Sequence, residues 1–197
     1  MTPRTSRRRR QVVTALLLTT IVSLTTTAHA ATAAAGAPAT TATRQASHAA
    51  PPVKIRGDVA HPRSFTLARL RALPQHTVRV RYQTSKGTEK HTFTGPLLLD
   101  VLALAEPRFK AETKNDQLRF FAAATGSDGY RAIVSFAELD PAFSGKKILL
   151  AVSQDGASLA AQGPRLVVPS DVKGGRYVSG VVQIHVGNVD ALIDRRH

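Results

Sequence analysis

The chain has 197 residues, room for one ordinary domain plus flanking segments, and 43% of them are hydrophobic, enough for a packed core and against wholesale disorder. It contains no cysteine, which excludes disulfides, zinc–thiolate sites and a cysteine nucleophile. Aromatic residues make up 5% and tryptophan is absent, which argues against a base-stacking platform and so against nucleic acid as a partner, despite a formal charge of +14.

Residues 1–30 have the three-part layout of a secretory signal. Arg4 and Arg7 to Arg10 precede a short, threonine-interrupted apolar stretch over 12–24, and Ala28-His29-Ala30 gives a small-x-small cleavage pattern. The apolar stretch is too short for a spanning helix, so no transmembrane segment is expected once the signal is removed. The arginine run and weak apolar stretch resemble a twin-arginine signal as well as a general secretory one. Export to the periplasm, cell surface or medium is expected either way. Removing those five arginines from +14 leaves +9, a balance suited to anionic ligands or to a solvated basic surface. Residues 31–52 are dominated by Ala, Thr, Ser and Pro and read as a flexible tether, because they hold too little apolar surface to offset the entropy of ordering.

The remaining segment, 53–197, reads as an α+β domain. Alternation and β-branched content predict strands over 53–59, 77–82, 88–94, 118–124, 130–135, 148–153, 166–168 and 177–186. Lys86-Gly87 suggests a hairpin turn between the second and third of these. Thr66 is placed to cap a short helix that Pro74 ends. A helix is predicted over 96–105, with Pro96 in its first turn, Leu98, Val101, Leu102 and Ala105 on one face, and Pro107 as its stop. A further helical turn is expected over 136–139.

Three stretches together are similar to the molybdopterin-binding domain of the sulfite oxidase family, which includes the periplasmic methionine-sulfoxide reductase catalytic subunit. They are the run from Phe93 to Pro107 (FTGPLLLDVLALAEP), then Ser127-Asp128-Gly129-Tyr130-Arg131, then Asp155-Gly156-x-x-Leu159 followed by Gly163-Pro164-Arg165-Leu166-Val167-Val168-Pro169 and Val181-Val182-Gln183-Ile184. The resemblance implies a sulfite-oxidase-type fold, a mixed β-sheet with few short helices, and molybdopterin as the cofactor. It also implies a ligand cleft drawn from Arg165, Asp155, Tyr130, Asp128, Lys173 and Arg176. The family's metal-binding cysteine falls at or near Gln83, a neutral amide that cannot replace a soft, charged thiolate. Ser179 stands where the family's basic phosphate-binding segment would carry another lysine.

The residues themselves leave alternatives open. Arg165 can grip an anion with its planar fork or pair with Asp155 or Asp128. Lys173-Gly174-Gly175-Arg176 is an anion-binding loop or a solvated hairpin loop. Asp128-Gly129-Tyr130 is a cleft wall or a tight turn with the tyrosine packed down, and Tyr82 and Tyr130 are the tyrosines expected near Gln83. His61, His76, His91 and His185 lack the short spacing of metal-ligand pairs, and no catalytic residue or metal ligand is assigned. Three functional readings follow: a pterin- or anion-binding relative without molybdenum–thiolate catalysis, an active molybdopterin-dependent oxidoreductase, and a cofactor-free module that uses its basic surface on a glycan or protein partner.

Overall fold

The structure is a computed structural model that describes residues 50–193. The expected signal over 1–30, nearly all of the segment 31–52 and the last four residues lie outside this range. Among the described residues no helix is long and apolar enough to cross a membrane.

Three sheets form the domain. The largest has five strands in the order β2 (Arg63–Phe65), β1 (Val53–Gly57), β11 (Val181–Asn188), β5 (Phe120–Gly126) and β6 (Arg131–Ser135). Its first and last long strands, β1 and β11, run parallel, with Ile55 beside Ile184, and the other pairs are antiparallel. A second, antiparallel sheet runs β3 (His76–Thr84), β4 (Gly87–Gly95), β8 (Ser153–Gln154) and β9 (Ala157–Ser158). A two-stranded ribbon of β7 (Leu149–Ala151) and β10 (Arg165–Val167) makes the third.

The ribbon explains an otherwise unreadable apolar run. Leu149 and Ala151 point into a cluster with Val80, Tyr82, Phe93, Leu159, Val167 and Tyr177, whereas Ile148, Leu150 and Val152 join the larger core under the five-stranded sheet. A strand buried on both faces needs continuous rather than alternating apolar residues. Ile148 to Val152 supplies them, and the ribbon divides two cores.

The short helices follow local chemistry. Thr66 Oγ1 accepts from the Arg69 N–H at 3.2 Å and caps α1 (Leu67–Arg71). The carboxylate of Glu138 accepts from the Ser135 N–H at 3.1 Å at the start of α3 (Phe136–Leu139). The helix expected over 96–105 is shorter than its pattern: α2 spans Leu98–Ala103 and buries Leu98, Val101 and Leu102. Leu97 instead bridges Leu149, and the Leu98 N–H donates to the Ile148 carbonyl, so the chain stays extended through Pro96 and Leu97. Glu106, at φ 53°, then turns the chain before Pro107.

Other boundaries moved for similar reasons. The strand expected over 148–153 is split at Val152 between β7 and β8, in different sheets. Leu118 lies in a 3-10 turn (Asp116–Arg119) rather than in β5. Residues 177–180 precede β11, which starts only after Gly180 at φ 56°. The β3–β4 turn sits at Ser85-Lys86, one residue earlier than expected, with Gly87 already in strand at φ 114°. The pattern had shown no sign of β2, β9 or α4 (Asp190–Ile193). At the other boundary, Ala50, assigned to the tether, donates its N–H to the Ala160 carbonyl at 3.2 Å.

Candidate functional site

The end of β3 runs against the loop that carries Lys173. The Gln83 N–H donates to the Val172 carbonyl at 2.8 Å, and Gln83 and Lys173 form a parallel bridge. A 3-10 turn over Gly174–Arg176 follows. It packs so closely that a Cβ on Gly174 would lie 2.8 Å from the Tyr82 ring, which only glycine tolerates. Between strand end and loop lies an open cleft of about 680 Å³, lined by Tyr82, Gln83, Thr84, Ser85, Glu89, Arg165, Lys173, Gly174 and Gly175. This volume falls in the range of small-molecule sites. A smaller cavity of about 260 Å³ is also lined by Arg165, with Gln154, Gln162, Gly163, Ser179 and Gly180.

Arg165 is the hinge of this arrangement. It opens β10, and its guanidinium carbon sits 5.7 Å from the centroid of the Phe93 ring, a cation–π contact. Nη1 donates to Gln154 Oε1 at 3.0 Å, while Nε is buried with no hydrogen-bond partner among the described residues. Neither Asp155 nor Asp128 pairs with it. Arg165 lines both cavities, so its guanidinium stands where an anion in either could meet it, while Nε itself is enclosed by the protein.

Below the cleft the polar groups form a chain. Tyr82, with its ring 4.3 Å from that of Tyr177, donates its hydroxyl to Glu89 Oε2 at 3.1 Å. Thr84 Oγ1 donates to Glu89 Oε1 at 3.1 Å. His91 lies between two carboxylates, with Nε2 3.2 Å from Glu89 and Nδ1 2.7 Å from Asp155. Hydrogen bonds from His91 and Thr84 hold the Glu89 carboxyl below its ordinary range. Burial raises the Tyr82 phenol, with the Arg165 charge opposing. Burial, reinforced by the Asp171 and Tyr82 charges, pushes Tyr177 up to about 12, and its hydroxyl is buried without a partner among the described residues. Both phenols are therefore neutral at physiological pH.

The residues expected to converge do so only in part. Gln83, Arg165 and Lys173 share the large cleft. Asp155 does not line it; it sits in the β8–β9 turn, where the Thr92 N–H and His91 lower its carboxyl. Arg176 is consumed by structure. Nε and Nη2 grip Asp171 at 2.8 and 2.6 Å, and Nη1 donates to Glu138, which Lys146 also holds. The Asp171 hydrogen bonds raise the Arg176 guanidinium above its ordinary value. Asp128 accepts from the Tyr130 N–H at 2.9 Å and makes the tight turn. Tyr130 does not pack down: it is half exposed and braces the cleft rim by donating its hydroxyl to the Gly175 carbonyl at 2.6 Å. Glu89, His91 and Gln154 were missed. Period-two alternation counted back from buried Phe93 puts His91 and Glu89 on its face, which was a usable signal.

The family model for the oxidoreductase molybdopterin-binding domain matches residues 40–191. The chain belongs to this family. Its fold, mixed sheets with few short helices, is the sulfite-oxidase type expected from the sequence. Among solved structures it is similar to the sulfane dehydrogenase SoxCD from Paracoccus pantotrophus, with a TM-score of 0.56 and 20% identity over 70% of this chain. That match covers 38% of the SoxCD chain, so the present chain spans well under half of its neighbour's length. No curated protein sequence matches it.

The cleft residues fit the family's cofactor unevenly. Every side-chain donor that lines the cleft offers oxygen or nitrogen, and the chain has no cysteine, so a molybdenum centre held by a protein thiolate does not fit. The anionic end of a pterin phosphate does fit, because Arg165 and Lys173 bring two cations to the cleft beside the backbone of Gly174 and Gly175.

Proposed function

We propose that this is an exported member of the family that binds the phosphate-bearing pterin, or an anion of similar size, without holding molybdenum through a side chain. The Arg165 guanidinium, which lines both cavities with no carboxylate paired to it among the described residues, carries this reading. Arg165 supplies a directed, charge-assisted hydrogen bond, Lys173 a second charge, and Gly174 and Gly175 a backbone that a ligand can approach closely. Tyr130 and Arg176 support from behind: one pins Gly175 and the other fixes the loop to Asp171 and Glu138. Molybdopterin, when bound with metal, supplies redox chemistry in this family. Here the protein contributes binding and orientation, and no catalytic residue is assigned.

The test is the pterin and molybdenum content of protein purified from its native export route, alongside Arg165→Gln. Pterin or phosphate retained by the wild type, lost about tenfold or more in the variant, with molybdenum far below one per chain, is the expected outcome; loss of one charge-assisted hydrogen bond corresponds to about 1.5–3 kcal/mol. A firmly held, redox-active molybdenum centre would overturn the proposal.

A further inference from the structure

The outward face of the β3–β4 hairpin carries a second, independent feature. Arg79 and Arg81 are exposed on β3, and the register sets Arg81 directly opposite exposed Lys90. Like charges directly opposite on a sheet destabilise it. None of the three cations pairs with a carboxylate among the described residues, although Arg119, Lys146 and Arg176 do so elsewhere. They line a shallow groove of about 440 Å³. Asp155 also reaches that groove, but its two oxygens are already engaged by His91 and the Thr92 N–H.

Charges on an edge strand can serve only to block unwanted strand pairing. That role needs one or two charges on β3. It does not explain Lys90, which lies on the inner strand between β3 and β8 and is placed where it repels Arg81.

We infer that this face binds a linear polyol-phosphate polymer through Arg79, Arg81 and Lys90. Alternate residues of a strand stand about 6.6 Å apart, comparable with successive phosphates of an extended polyol-phosphate chain. On the same face Thr88 and Thr92 flank Lys90 along β4, with hydroxyls suited to the polymer's own, while Thr77 and Thr94 farther along bond to each other at 2.9 Å. The aromatic residues of these strands, Tyr82 and Phe93, are buried on the opposite face, so the groove has no stacking surface for nucleobases. This inference does not depend on the pterin reading.

The experiment is fluorescence anisotropy on the full exported chain with a labelled glycerol-phosphate oligomer, across a salt series. Three phosphate contacts predict a slope of log affinity against log salt of about −2. The triple variant Arg79→Gln/Arg81→Gln/Lys90→Gln, checked for its fold by circular dichroism, should lose binding about tenfold or more and most of that slope. Lys54→Gln/Arg56→Gln, exposed on the five-stranded sheet, and Arg165→Gln, in the cleft, should bind as the wild type does. Unchanged binding in the triple variant, or an equal loss in Lys54→Gln/Arg56→Gln, overturns the site. Equally tight binding of oligothymidylate or polyglutamate of the same length overturns the polymer class.

Discussion

The larger core joins β1, β5, β6 and β11 to α1, α2 and α3 with Val, Leu, Ile, Ala and three phenylalanines. The smaller core, across the β7–β10 ribbon, holds two stacked tyrosines, and its edge is Arg165, with Glu89 and His91 beside it. Of the buried polar atoms without a hydrogen bond among the described residues, Arg165 Nε and Tyr177 Oη lie on the smaller side, and Asp116 Oδ1, on the larger side, is held by the Arg119 guanidinium at 2.9 Å. The first region is closed by apolar packing, while the second borders the open cleft through Tyr82 and Arg165.

The largest effect is expected from deleting packing on the two sides of one strand. Leu150→Ala, in the larger core, should cost about 2–5 kcal/mol in denaturant unfolding yet leave ligand affinity at the cleft unchanged in the native state. Leu149→Ala, its neighbour on the other face, should cost a similar amount and also weaken the cleft. If both variants weakened the cleft equally, the division into two cores would have no functional meaning.

A smaller effect is expected from Gly174→Ala. The added methyl meets the Tyr82 ring, so overpacking should cost about 1–3 kcal/mol and lift the Lys173 loop from the cleft. Calorimetry combined with anion titration separates the two losses; a variant with wild-type stability and affinity would mean that the contact is not required.

The smallest effect concerns the smaller core's buried phenol. The folded Tyr177 value of about 12 lies above its ordinary 10.0, so its contribution to stability is complete below pH 10 and is lost as pH rises from there towards 12. Tyr177→Phe should flatten that alkaline decline and change stability at pH 7 by no more than about 1 kcal/mol, because the hydroxyl it removes has no partner. Urea unfolding between pH 7 and 11 measures this directly, and an unchanged alkaline slope would show that the phenol titrates normally.

Much of the fold was legible because its signals are local. Alternation over Val78 to Tyr82 and the capping threonine at Thr66 each act within a few residues. Arg165 and Lys173 were readable as cleft residues because glycine and proline flank them and leave their backbone at loop edges. Arg176 was misread because its two partners, Asp171 and Glu138, include one 38 positions away. Asp155 was placed in the wrong cavity because its partner, His91, lies 64 residues earlier.

The amino-acid order alone therefore determined the class of fold, the absence of any protein sulfur ligand from cysteine, and the longer strands, since these depend on composition and period-two geometry. Tertiary structure decided which cations face a ligand and which are spent on carboxylates, and how one apolar run comes to serve two cores. Those outcomes depend on contacts between segments distant along the chain, and no local pattern encodes how such segments meet.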